Sequence, residues 1–99
     1  MLSSEEQLLR CARRRDFSGD SEHLEKMFRV LHAEVVRLVS HLQSHWHDTQ
    51  SRWELRRVFD LRAGCFAALG ASSFAAAMRL AAEFNLVIPS ETDHAAMVG

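Results

Sequence analysis

The sequence predicts an all-α protein, an up-down four-helix bundle whose first helix is short. Three observations lead there. Leu24, Phe28, Leu31, Val35, Leu38, Leu42 and Trp46 alternate spacings of three and four residues, a rhythm that a strand cannot produce. Four glycines and one proline in 99 residues leave too little punctuation for an all-β chain with many tight turns. Helix-start patterns recur along the chain with short breaks between them, which favours antiparallel neighbours.

The elements follow in order. Ser3 and Ser4 with Glu6 and Gln7 form overlapping capping boxes that open a first helix. It runs to about Arg15 and turns Leu8, Leu9, Cys11 and Ala12 inward. Asp16–Asp20 is a loop. Asp20 or Ser21 caps the long second helix, whose apolar stripe is the one already given and spans roughly 40 Å. His47–Ser51 is the turn, and Ser51 with Glu54 is a third capping box. The third helix is expected to run to Leu69, with Gly70 beyond its end in the left-handed region. Ser72 or Ser73 caps a fourth helix, Phe74 to Phe84, and Asn85 ends it. Leu86–Pro89 reads as extended, and residues 86–99 as an extended or loose tail. The chain is expected to be one domain over 1–99, with its bundle core at about 20–85.

Composition narrows the function. A formal charge of −1 lacks the basic excess of a nucleic-acid-binding domain. No apolar run approaches the ~18–20 residues that span a bilayer. The first residues, Met1-Leu-Ser-Ser-Glu-Glu, are acidic where a signal peptide is basic. Cys11 and Cys65 sit in apolar stretches without a CxxC pair and read as reduced core thiols. A cytoplasmic protein is expected, with neither nucleic acid nor membrane as partner.

The third helix departs from an ordinary amphipathic pattern. On a helical wheel, Leu55, Val58, Phe59, Leu61, Cys65, Phe66 and Leu69 share one arc, the expected core face. The opposite arc carries Trp53, Arg56, Arg57, Asp60, Ala63, Gly64 and Ala67. That is two arginines around one aspartate, then a floor of small residues. Gly64 inside a helix costs ~1 kcal/mol relative to alanine. Simple tolerance, close packing against another helix, and close approach by a partner each account for it. Arg62 falls inside the core arc, and a buried guanidinium needs a partner. Glu34, at the edge of the second helix's stripe, is the expected one.

Leu55-Arg-Arg-Val-Phe-Asp60-Leu-Arg-Ala-Gly64-Cys-Phe-Ala-Ala-Leu-Gly70-Ala71 resembles the core motif of histidine-containing phosphotransfer (HPt) domains. The resemblance covers roughly residues 20 to 85. Gly64, Leu69, Gly70 and Ala71 stand at the motif's positions without a gap. It implies a four-helix bundle that docks onto response-regulator receiver domains. The phosphoacceptor histidine, however, is replaced by Asp60 and the following lysine by Ala63. Aspartyl phosphorylation in receivers uses bound Mg²⁺ and an acidic cluster, and nothing near Asp60 in the sequence supplies one. Arg56 and Arg57, at i−4 and i−3, are expected to hold Asp60 as an ion pair. The resemblance therefore implies a pseudo-HPt protein, a docking architecture without the chemistry.

Other constellations carry less. His41 and His45 at i and i+4 lack a third ligand, since His47 projects to the far side, so no metal or other cofactor is expected. His32 and His45 lack the glycine floor and lysine that a displaced phosphoacceptor needs. Arg13, Arg14 and Arg15 either complement a helix dipole or form a basic patch for an acidic partner. Trp53 either closes the bundle end over the turn or anchors an interface.

The reading is a non-enzymatic bacterial adaptor or inhibitor, a monomer or weak homodimer. It binds a receiver domain or a phosphorelay sensor kinase through Trp53, Arg56, Arg57, Asp60, Ala63, Gly64 and Ala67. The alternatives are a small helical regulator or secretion-associated chaperone with an unrelated partner, and an active phosphotransfer protein using a displaced histidine.

Overall fold

The computed structural model describes residues 2–86. Of the expected 86–99 tail and its Leu86–Pro89 stretch, only Leu86 is described, and it packs against the core; the rest lies outside the described residues. Four helices follow one another, α1 (Ser4–Arg13), α2 (Ser21–Ser44), α3 (Thr49–Ser72) and α4 (Phe74–Glu83), and the described residues contain no strand.

Each helix starts where a short polar side chain meets a free backbone N–H. Ser3 accepts from the N–H of Glu6, Asp20 from that of His23 at 2.8 Å, and Ser73 from that of Ala76. At α3 the cap is Asp48, not Ser51. Its carboxylate accepts from the Ser51 N–H at 3.1 Å and the Ser51 hydroxyl at 2.7 Å. Ser51 is thus inside the first turn, and Glu54 is drawn away to Arg13 at 3.2 Å. The far end of α3 also differs from expectation. Gly70 lies within the helix, which continues to Ser72, and no described glycine has positive φ. Ser73, with φ −153° and ψ 99°, closes α3 and opens α4 in one residue, so no left-handed glycine is needed. Asn85 does take the left-handed conformation, at φ 54°, after α4.

The two 24-residue helices form the frame, each about 36 Å long. They run antiparallel: the Cys65 thiol donates to the Leu24 carbonyl at 3.3 Å, and Arg62 meets His32 further along. Between them Leu24, Met27, Phe28, Leu31, Val35 and Leu38 of α2 interleave with Val58, Leu61, Cys65 and Leu69 of α3, all buried. α4 lies along the first half of α2 and runs parallel to it. Arg79 pairs with Glu25, and Arg29 holds Glu83 through two bonds of 2.8 and 2.9 Å. Ala76, Ala77, Leu80 and Ala81 bury its inner face, and the small side chains bring it close to Gly70. α1 adds Ala12, fully buried, with Leu8, Leu9 and Cys11 packed at the core's edge.

Two residues expected in the core are outside it. Trp46 is 62% exposed because α2 ends at Ser44, with His45 as its last cap, so the helical phase no longer applies to it. Phe59 is 42% exposed. It lies on the flank of α3 that also carries Leu55, Arg62 and Phe66, none of them buried.

Arg62 does not take Glu34 as its partner. Glu34 is bound by Arg37 through bonds of 2.9 and 3.1 Å, which hold its carboxyl below the usual range. Arg62 instead donates to Nδ1 of His32 at 2.9 Å and lies over the rings of Phe28 and Phe59, 5.9 and 5.2 Å from their centroids. A guanidinium can only donate, so Nδ1 must be unprotonated and the ring neutral. Burial, then the adjacent Arg62 charge, push the His32 pKa down. Phe84 closes this contact from the end of α4, its ring centroid 4.3 Å from that of His32.

Candidate functional site

The α3 face picked out by sequence divides in two. Its first half is open. Trp53, 65% exposed, stands one turn into the helix, and the Arg56 guanidinium lies 6.0 Å from its ring centroid. Trp53, Arg56, Arg57, Phe59 and Asp60 together line a shallow depression of about 650 Å³. A second, of about 290 Å³, continues past Trp53 and Arg56 to Thr49 and Arg52.

In the second half the chain itself covers Gly64 and reaches Asp60. After α1 the backbone turns at Arg15, whose φ is 57°, and runs beside α3. Three contacts fix this strap: Arg13 to Glu54, Arg15 to Asp60, and the Phe17 ring to Gly64. Asp60 is therefore paired with Arg15 and not with Arg56 or Arg57. The reason is reach: Arg15 comes across from the strap, while Arg56 lies toward the Trp53 ring. A Cβ placed on Gly64 would stand 2.9 Å from Cε2 of Phe17, so the glycine makes room for that ring. Close packing from within the chain accounts for Gly64, although the neighbour is a loop phenylalanine rather than another helix. Ala63 and Ala67 remain exposed but border no part of the depression.

Trp53, Arg56, Arg57 and Asp60 are thus gathered around one hollow, Gly64 is under Phe17, and Ala63 and Ala67 extend the surface. Phe59 joins the site after being assigned to the core. Its signal was Arg62: a cation within the same arc shows that this flank of α3 is not enclosed.

Charge is unevenly distributed. Arg10, Arg14, Arg52, Arg56, Arg57 and Arg62 form no ion pair among the described residues, whereas Arg13, Arg15, Arg29, Arg37 and Arg79 each hold a carboxylate. Arg62 is taken up by His32; the other five lie on α1, at its C-cap, or in the first turns of α3.

The other candidate groups have structural partners. His41 bonds Asp48 through Nε2 at 2.9 Å and stacks on His45, with ring centroids 4.6 Å apart. His41, Asp48 and Ser51 thereby clasp the end of α2 to the start of α3. The Ser51 hydroxyl, then His41, hold the Asp48 carboxyl at about 2. The histidine and serine both bond the carboxylate rather than each other, an arrangement that restrains a turn and does not activate a nucleophile. Burial pushes the Cys65 thiol up to about 12, so it remains protonated.

No protein-family model, curated protein or solved structure matches the chain.

Proposed function

We propose that the protein is a non-catalytic adaptor or inhibitor that works in the cytoplasm. It has an up-down, HPt-like bundle and docks on a receiver domain or phosphorelay kinase through the first half of the α3 face. The observation that carries this reading is the open hollow of Trp53, Arg56, Arg57 and Phe59. Exposed aromatic and arginine side chains around a concave surface are the composition of an interface centre. Asp60 and Ala63, at the positions of the phosphoacceptor and lysine in the resemblance, support binding without phosphoryl transfer. The Arg15 pairing supports it further, because it occupies the carboxylate. A displaced histidine gains no support from His32, whose accepting nitrogen is used by Arg62.

A second reading draws on the strap. Arg15 and Phe17 lie over Asp60 and Gly64, where HPt-type docking would centre. That favours a helical regulator or chaperone whose partner is not a receiver domain.

The test is a binding panel of receiver domains and sensor kinases from the native cell, with Trp53→Ala and Arg56→Ala beside the parent. The proposal expects at least one partner in the panel and a loss of about tenfold or more in each variant. Incubation with a phosphorylated receiver is expected to leave every histidine unlabelled. An acid-labile, alkali-stable phosphoryl label would overturn the non-catalytic reading, and a panel without a binder would favour the second.

A further inference from the structure

Arg57 borders three depressions at once. It lines the Trp53–Asp60 hollow, a hollow of about 530 Å³ against α1, and one of about 310 Å³ toward Asp48. The α1 hollow is bounded by Leu2, Glu6, Leu9, Arg10, Arg13 and Arg14. Leu9 packs against the core, which gives that hollow an apolar wall. Arg13 is tied to Glu54, so Arg10, Arg14 and Arg57 face one carboxylate, Glu6, and leave the hollow with a net positive lining. Arg56 continues the row beside the exposed Trp53 ring.

We infer that the hollows on either side of Arg57 form one docking groove for an acidic, amphipathic polypeptide segment. The segment's carboxylates meet Arg10, Arg14, Arg56 and Arg57, and its apolar side chains rest on Leu9 and Trp53. The inference adopts the α3 face of the proposed function and adds α1 to it. Charge complementarity carries it. The whole chain has a formal charge of −1, yet five of the six arginines without an ion pair among the described residues lie on α1, at its C-cap, or in the first turns of α3. Guanidinium groups bind carboxylates through two parallel hydrogen bonds, which suits recognition of Asp and Glu. A nucleic acid would also meet the arginines. It has no use for the apolar wall at Leu9, however, and the overall charge disfavours it.

The test uses a short fluorescein-labelled peptide of alternating Glu and Leu, read by fluorescence anisotropy. Beside it run the same peptide with Gln in place of Glu and a single-stranded oligonucleotide of equal charge. Saturable binding of the acidic peptide that weakens with added salt is expected, with neither control binding comparably. Arg10→Gln/Arg14→Gln is expected to weaken it by about fivefold or more. Circular dichroism of the variant should match the parent, because both side chains are exposed. Failure of the acidic peptide to bind, or tighter binding of the oligonucleotide, would overturn the inference. If the double variant binds the peptide as the parent does while Arg56→Ala does not, the groove does not include α1. The α3 reading would then survive alone. If Trp53→Ala and Arg56→Ala leave the native partner's affinity unchanged, the α3 reading itself has failed.

Discussion

Gly64 lies under Phe17, so its substitution has two opposing effects. Alanine favours the helix by ~1 kcal/mol over glycine, but its Cβ would approach the Phe17 ring to 2.9 Å and displace it. Gly64→Ala alone is expected to gain less than the helix term. In a Phe17→Ala background the gain should appear in full. Urea denaturation of the four species measures the coupling, and simple additivity would contradict the contact. Gly64→Gln, a natural probe of partner approach, would move Phe17 before it met any partner. Arg56→Ala and Trp53→Ala are therefore the cleaner probes. Cys65 offers a second residue-level prediction. It is fully buried with its pKa pushed up to about 12, whereas Cys11 is half-buried. A thiol reagent should find one reactive cysteine in the native protein and two in denaturant. Two in the native state would place Cys65 wrongly.

The contact of His32, Arg62 and Phe84 joins α2 and α3 to the end of α4, and it requires a neutral imidazole. The folded His32 pKa is lowered from 6.5, so the unfolded chain takes up the proton first. Its contribution is intact above about 6.5 and is lost as the pH falls from there toward the lower folded value. Glu83, bound to Arg29, is the nearest carboxylate on α4 and is occupied, so it offers the imidazolium no free counter-charge. Stability against urea should decline below about pH 6.5, and the decline should be shallower in His32→Gln, whose amide oxygen can still accept from Arg62. An equal slope in both would remove His32 from the account. The Asp48 clasp acts in a lower window. Its folded pKa of about 2 lies below 3.8, so its contribution is present above 3.8 and is lost as the pH falls through about 2.

Much at the element scale was legible in the sequence. The α2 stripe from Leu24 to Leu38, the stop at Asn85, and the caps to within one residue (Ser3 or Ser4, Asp20 or Ser21, Ser72 or Ser73) follow from spacing and side-chain chemistry alone. Two kinds of feature were not. Competing caps three residues apart, Asp48 and Ser51, both fit the start of α3, and the hydrogen bond from the Ser51 hydroxyl to Asp48 decided between them. Contacts at long sequence separation also left no periodic trace. Arg15 on Asp60 and Phe17 on Gly64 join a loop to a helix more than forty residues on. An isolated phenylalanine in a polar loop and a glycine inside a helix were the available signals, but nothing in the sequence matched one to the other. For the same reason four of the seven site residues converge on the hollow, while Gly64 turned out to be occupied by the chain itself.

At the scale of the whole molecule, α2 and α3 carry the stability and the first half of α3 carries the proposed interface. Leu61→Ala, at a site 2% exposed, should cost about 2–5 kcal/mol. Val36→Ala, at a site 52% exposed, should cost less than about 0.5 kcal/mol. Stability and binding are therefore separable by mutation, which permits a direct test of the central claim. The measurement is the affinity of the native partner for the parent, for Trp53→Ala/Arg56→Ala, and for Phe74→Ala, an equally exposed aromatic at the start of α4. The account predicts that the α3 variant loses at least about tenfold while Phe74→Ala binds as the parent does. Parental affinity in the α3 variant, or a greater loss at Phe74, would contradict it.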